Sequence, residues 1–424
     1  MLEEISDISM LAAAPGSTAH IAVSAARARH AQLAVAVLFL VNGAAVGSWV
    51  PHIPERAVAL HLNAAQLGST LLAAGIGALC AMPLSGTLLN RAGSRRLCIV
   101  TGLLFPALLT IAILMPSLPL LVAVLFVTGL TAAGMDVAMN SHGVLVESLL
   151  GRRTVSLFHA IFSVGCFAGA GTHSFLMAEG VRDSRLVPSF GVVLLLLVLG
   201  AASFLLPKPV EDAQHAAERQ AAPAATGGPK SLRAHLPHPR LLLIGVLCFS
   251  TMVSEGAMGD WSALFLRVVY KVADGAAGYG YTCFAALMVL GRFTGDAVVS
   301  RIGELRALRL GGLISVAGLL LLLLSHSLPV ILVGFALAGA GLANASPVLY
   351  RTAGTLPGFA PGEGIATAVG VGYAGLLIGP PLLGFLAHRA GMASIFWVLV
   401  ALSATLFVAA PLVRSAHGAR SRRC

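Results

Sequence analysis

Twelve apolar runs, each of a length that can cross a bilayer, leave this chain few folds to adopt. They fall at about 31–51, 64–89, 97–115, 119–141, 155–178 and 188–206, and again at about 241–265, 276–299, 308–324, 329–350, 364–387 and 393–413. A spanning helix needs about 17 to 25 mostly apolar residues, which each run supplies. Only 10% of the residues are charged, against about a quarter in soluble domains, so a water-covered surface cannot be assembled. The 424 residues therefore predict an all-α membrane protein with the lipid bilayer as its solvent. The formal charge of +10 is scattered through short loops and forms no stripe, which argues against a nucleic-acid partner.

The runs divide the chain into a tail at 1–30, a six-helix bundle at 31–206, a linker at 207–240, a second six-helix bundle at 241–413 and a tail at 414–424. Acidic Glu3, Glu4 and Asp7 rule out a basic leader at the start, and residues 1–30 read as a short mobile tail. The linker contains "EDAQHAAERQAAPAATGGPK" and, rich in Ala, Pro, Gly and charge, reads as flexible. Of the 27 Lys and Arg, twenty fall on the side that carries both tails and the linker, six on the other, and Arg292 inside a span. Basic residues mark the cytoplasmic side, so both termini are expected in the cytoplasm. Six cysteines show neither CxxC pairing nor a metal or disulfide spacing, five of them lying in apolar runs as small packing residues.

The two halves repeat one another. "LLNRAGSRR" follows the second span and "VVSRIGELR" the eighth, so Arg91 and Gly93 correspond to Arg301 and Gly303 at an offset of 210. Gly165 and Gly169 in span five match Gly375 and Gly379 in span eleven at the same offset, and "AVGSW" at Ala45–Trp49 matches "AMGDW" at Ala257–Trp261. Three matches at nearly one offset predict a parallel duplication of six helices, an architecture whose solute site lies between the halves near mid-membrane. GxxxG spacing lets helix backbones approach closely, and on spans five and eleven it is expected to serve packing between the halves. Spans three, six, nine and twelve carry no charge apart from Arg309 at the very edge of span nine and read as lipid-facing, whereas spans one, four, seven and ten carry Asn42, Asp136, Asn140, Glu255 and Asn344 and read as lining a cavity.

On these residues the chain resembles the major facilitator superfamily over its whole length. "GTLLNRAGSRR", Gly86 to Arg96, resembles the family's loop motif, with Gly86, Arg91, Gly93 and Arg95 in place and Asn90 where the family commonly has Asp. The resemblance implies that the motif governs gating, and Asn90 puts the carboxylate latch of the outward-open state in doubt. The copy from Gly295 to Arg306 is looser. "GMDVAMN", "SLFHAIFSVG", "EGAMGDW" and "GLLIGPPLLG" are similar to a bacterial inner-membrane subgroup distantly related to fucose permease, which includes a rhizobial membrane protein linked to rhizopine handling. Span five lacks the Gly-Pro signature of drug–proton antiporters, and span four lacks the family's arginine motif.

A carboxylate within hydrocarbon costs several kcal/mol and by default faces a cavity with a task. Removal from water also favours its protonated form, the property a proton-coupled carrier exploits. Glu255, with no basic residue within one helical turn, is the leading candidate for proton coupling or solute contact, a structural hydrogen bond to span one or eleven being the alternative. Asp136 and Asn140, four apart on one helical face with His142 just beyond, read either as solute or proton ligands or as a helix-end network with Arg152 and Arg153. Arg292 and Asp296, also four apart, predict a local ion pair with a gating or structural role beside the second loop motif. His159 reads as a packing residue or a proton carrier, and Asn42 and Asn344 offer donors and acceptors suited to a polyol or sugar. Trp49 and Trp261, near the outer ends of their spans, are expected to be interfacial anchors.

No GxSxG, phosphate loop, HExxH or metal-ligand cluster is present, so neither an enzyme, a cofactor nor direct ATP drive is expected. The expectation is a monomeric secondary carrier that moves a small sugar- or polyol-like solute by alternating access, with proton symport. A proton-coupled efflux carrier for amphipathic compounds or metabolites is the alternative, and a receptor or scaffold that has lost transport is a third class.

Overall fold

In a computed structural model of the chain, residues 8–10, 21–221, 239–273, 275–356 and 361–413 are described. The tail 414–424 and the linker stretch 222–238 lie outside them, as does most of the N-terminal tail, of which Ile8–Met10 pairs antiparallel with Ile21–Val23. Everything else is helical or connecting. The twelve spans are Ala25–Trp49, Ala64–Ala92, Ser94–Ile113, Leu118–Leu150, Val155–Ala178 and Asp183–Ala202 in the first half. In the second half they are Pro239–Val269, Tyr279–Ile302, Glu304–Leu324, an interrupted pair Leu328–Leu342 and Ala345–Gly354, Pro361–Ala390 and Ala393–Ala409. The chain forms the twelve-helix fold that the repeat predicts. Below, the end of the bundle where span one starts and span twelve finishes is the terminal face, and the opposite end the distal face.

Local signals set the helix ends. Ser24 accepts a hydrogen bond from the Arg27 amide at the start of span one, and Asn63 and Gln66 form a reciprocal capping box at the start of span two. Spans two and eight stop at the loop-motif glycines, Gly93 at φ 79° ψ 158° and Gly303 at φ 84° ψ 155°. Both angles lie in a region that glycine enters without strain, and their near identity carries the sequence repeat into the backbone. Large apolar side chains cover the outside: Leu196 of span six is 61% exposed, Leu324 of span nine 66% and Val408 of span twelve 69%. A surface of this kind is stable against acyl chains and not against water.

Glycine decides which spans touch. Gly43 and Gly47 of span one face Gly165 and Gly169 of span five, and at each glycine an added Cβ would overlap a carbonyl oxygen of the opposing helix. In the second half Gly375 of span eleven lies against Phe249 and Val253 of span seven. The GxxxG pairs thus pack helices within each half and not between the halves, correcting the expectation above. Contact between the halves comes from spans two and eleven, where Gly68 meets Pro380 and Gly384 meets Ala64, and from spans five and eight. The tryptophans are also corrected. Trp49 is 8% exposed and Trp261 fully buried, with Trp261 packed on Gly384, so neither lies at an interface. The chain continues past Trp49 through the turn Val50–His52 into a short helix, Ile53–Ala59.

The linker is not flexible throughout: Lys208–Ala221 is a helix docked on the terminal face. Its Glu211 is 5% exposed and accepts hydrogen bonds from the Ser94 amide at 2.9 Å and the Ser94 hydroxyl at 3.0 Å, capping span three. His142 completes the network. Its Nε2 accepts from the Leu206 amide at 3.1 Å, which leaves Nδ1–H to donate to Ser94 Oγ at 2.8 Å. Glu211→Ala should strand these buried donors at a cost of about 1–3 kcal/mol and lower the unfolding temperature of the detergent-solubilised protein by several degrees. Lys208→Met, which removes only the exposed ion pair to Asp212, should leave that temperature within error.

Candidate functional site

At mid-membrane an ion pair joins two helices of the second half and reaches into the first. Glu255 is the seventeenth of 31 residues in span seven, and its Oε2 accepts from Arg292 of span eight at 3.0 Å. The other guanidinium nitrogen donates to Ser163 Oγ of span five at 2.5 Å, across the boundary between the halves. Ser346, just past the break in span ten, donates to Glu255 Oε1 at 3.4 Å. The Glu255 and Arg292 side chains are 23% and 19% exposed, accessible yet mostly withdrawn from water. Arg292 therefore pairs with Glu255 and not with Asp296, correcting the local i,i+4 expectation. Asp296 instead accepts from Arg351 at 3.3 Å, and Arg351 also approaches Glu304 at 3.8 Å.

Tyrosines surround the pair. Tyr281 of span eight lies within hydrogen-bonding reach of Cys166 and close to both charges, and Tyr350 of span ten also lies near both. Tyr373 of span eleven lies within electrostatic range of Asp136 of span four, across the boundary between the halves. Nothing in linear spacing marks these three hydroxyls, because each comes from a different helix and becomes a neighbour only on assembly. A tyrosine inside a bilayer-length apolar run was the available signal.

The remaining candidates sort by surroundings. Asn140 donates to the Asp136 carboxylate at 3.0 Å and its carbonyl at 2.9 Å, closing that pair on itself, whereas Arg152 turns away to Gln32. The expected network of Asp136 with Arg152 and Arg153 does not form among the described residues. His159 is exposed one turn from Ser163, edge-on to Phe39 at 5.3 Å, with Arg292 as its charged neighbour. Asn344 is the residue at which span ten breaks, and its amide fills the space left open by Gly295. Asn42 is 6% exposed and walled in, with its amide on the Met139 sulfur at 3.8 Å, so it has no free surface to offer. Asp260, five residues beyond Glu255, makes neither a hydrogen bond nor an ion pair among the described residues.

In the loop motif Gly86 faces open space, Asn90 and Arg91 are exposed without a polar partner among the described residues, and Arg95 donates to the Ala202 carbonyl at 3.3 Å. Arg301 is likewise exposed. The glycines show where the halves meet. Gly68, Gly75, Gly171, Gly275, Gly278 and Gly384 abut the opposite half, all in the distal half of the bundle. The pair at Glu255 is thus closed over from the distal side.

Comparison with known proteins gives one answer. The model of the Major Facilitator Superfamily matches residues 33–279 and 261–423. An MFS-type transporter of Yersinia pestis is 32% identical over 382 residues, covering 90% of this chain and 95% of that protein. Membrane protein MosC of Rhizobium meliloti is 32% identical over 368 residues, covering 87% and 86%. Among solved structures the nucleoside transporter NupG superposes with a TM-score of 0.66 at 14% identity, covering 90% of this chain and 98% of that one. A bacterial homologue of the human lysosomal transporter Spinster, in an inward-facing and unoccupied conformation, superposes with a TM-score of 0.65 at 16% identity, covering 92% and 97%.

Proposed function

This chain belongs to the Major Facilitator Superfamily and is a secondary transporter, and from that premise we propose that it carries a small polyhydroxylated solute in symport with a proton. The observation that carries the reading is the bridge Glu255–Arg292–Ser163, a charge pair at mid-membrane that touches both halves at once. While Glu255 is ionised it holds the guanidinium against span seven. Protonation removes that restraint and frees the donors of Arg292 for solute oxygens, so the proton and the solute are taken up together. A carboxylate that must change charge state inside a bilayer does so at lower cost when a solute shields its partner.

The chemistry around the pair suits hydroxyl groups. Ser163, Ser346, Tyr281, Tyr350 and Tyr373 donate and accept, and the Asn140 and Asn344 amides lie on the flanking spans. The nucleoside named for NupG carries a ribose, a ligand of this class. With twenty of 27 basic residues on the terminal face, that face is the cytoplasmic one and the protein lies in a bacterial inner membrane, as a monomer. The distal closure then corresponds to a site shut from the outside.

Uptake into energised vesicles of a panel of radiolabelled pentoses, hexoses, polyols and nucleosides tests the reading. At least one member should accumulate, and a protonophore should collapse that accumulation. Accumulation that persists in the protonophore would sink the proton coupling, and a preference confined to amphipathic cations would sink the solute class.

A further inference from the structure

The distal face holds a second cluster of ionisable groups that the transport reading leaves unused. Span one ends in the turn Val50–His52, and His52 is completely buried. Its Nδ1 points at two carboxylates, 3.3 Å from Asp183 Oδ2 at the start of span six and 3.8 Å from Glu55 Oε2 in the short helix Ile53–Ala59. The carboxylates of Glu55 and Asp183 are themselves within hydrogen-bonding reach of one another. All three donor atoms lie within 4.8 Å of each other, and the enclosed Nδ1 makes no well-formed hydrogen bond. The other ring nitrogen is held at 2.7 Å by His173 Nδ1 of span five, itself 1% exposed and edge-on to Phe190 at 4.6 Å.

Two carboxylates and an imidazole nitrogen converging on one point repel unless a positive charge lies between them. Arg56 interacts electrostatically with Asp183 but forms no ion pair with either carboxylate among the described residues. When His173 accepts at Nδ1, the proton of His52 sits on Nε2 and the lone pair on Nδ1, so three lone pairs face the same point. From this geometry we infer that His52, Glu55 and Asp183 form a binding site for a divalent first-row metal ion of the zinc type. Imidazole and carboxylate ligands suit such ions. Two donors each about 2 Å from a tetrahedral ion stand about 3.3 Å apart, which is the His52–Asp183 separation. His173 acts as the outer partner that fixes the tautomer and the plane of a metal-bound histidine. Glu55 and Asp183 are 25% and 23% exposed, which leaves water a path to the ion and room for a further ligand. The site adjoins the distal closure, since Pro51 lies 2.9 Å from where a Cβ on Gly278 would stand and Ser174 meets the same glycine. None of these residues belongs to the Glu255 site, so the inference stands or falls apart from the choice of solute.

Tag-free full-length protein, stripped with a chelator in detergent, is titrated with Zn²⁺ by calorimetry, and its unfolding temperature is read with and without the ion. One ion per chain should bind and raise the unfolding temperature. Co²⁺ in its place should give visible d–d absorption of a nitrogen- and oxygen-ligated, low-coordinate ion. Glu55→Gln, a partly exposed position that leaves the buried histidines intact, should weaken binding at least about tenfold, and His52→Ala should abolish it. Absence of stoichiometric binding, or binding whose affinity and cobalt spectrum survive Glu55→Gln, would overturn the assignment. The cluster would then hold an imidazolium between its carboxylates.

Discussion

Glu255→Gln is expected to abolish accumulation of solute against its gradient while exchange of labelled for unlabelled solute continues. Glutamine keeps the shape and an acceptor oxygen for Arg292, so the ion pair at 3.0 Å becomes a hydrogen bond from a charged guanidinium to a neutral amide and solute can still be oriented. What is lost is the proton. One charge moved through a potential of about 100 mV supplies about 2.3 kcal/mol, enough for about fiftyfold accumulation. Energised vesicles bearing the wild type should approach that ratio, and vesicles bearing the variant should stop at passive equilibration. Counterflow measured on the same vesicles separates the outcomes. A variant that still concentrates solute removes Glu255 from the coupling role, and one that loses counterflow as well makes Glu255 a solute ligand or a structural residue. The double variant Glu255→Gln with Arg292→Gln should recover expression if the single change leaves a mostly buried guanidinium without its counter-charge.

The second large effect concerns folding. Gly43→Val should prevent a stable bundle, because the new Cβ would overlap the Phe162 carbonyl oxygen and stand 2.9 Å from the Cys166 amide nitrogen. Overpacking in a core commonly costs about 1–3 kcal/mol. Here the obstacle is helix backbone, which cannot rotate aside as a side chain can, so spans one and five must separate along their length. The yield of monodisperse protein on size exclusion should fall to near background. Gly200→Ala, a glycine of span six with open space around it, should express as the wild type does and gain a little from helix propensity. Normal yield from the valine variant would mean that spans one and five are not held by this approach.

How far the site was legible follows from which contacts are local. Span positions, the duplication and the isolation of Glu255 depend on composition and on spacing along one helix, and these are visible in a string of letters. Partnership between helices is not. Arg292 has Asp296 one turn away, yet its partner Glu255 is 37 residues distant, because the two side chains of span eight point to different surroundings: one toward Glu255 and Ser163, the other toward Arg351 at the terminal face. Periodicity says which residues share a face and says nothing of what that face meets. The glycine pairs show the same limit, since GxxxG predicts a close approach but not which helix approaches. The linker misled for a different reason. Ala, Glu and Gln are both common in unstructured linkers and strong helix formers, and only the docking of Glu211 on Ser94 decides between those outcomes. Trp49 does stand at the end of its span, but nearness to a span end says nothing of whether the side chain meets lipid or protein, and packing buries it.

The paired loop glycines carry a consequence of their own. Gly93 and Gly303 adopt almost the same backbone, yet the structures that brace them differ in kind. The first is braced by a buried carboxylate from the linker helix, and the second by Asp296, Glu304 and Arg351, whose side chains are 85%, 36% and 50% exposed. Mobile ions screen exposed charges over about 8–10 Å at physiological strength and reach enclosed ones poorly. The twin turns of the molecule therefore answer to different variables: the ion pairs beside the second weaken as the surrounding electrolyte thickens, and the enclosed hydrogen bonds at the first feel it little.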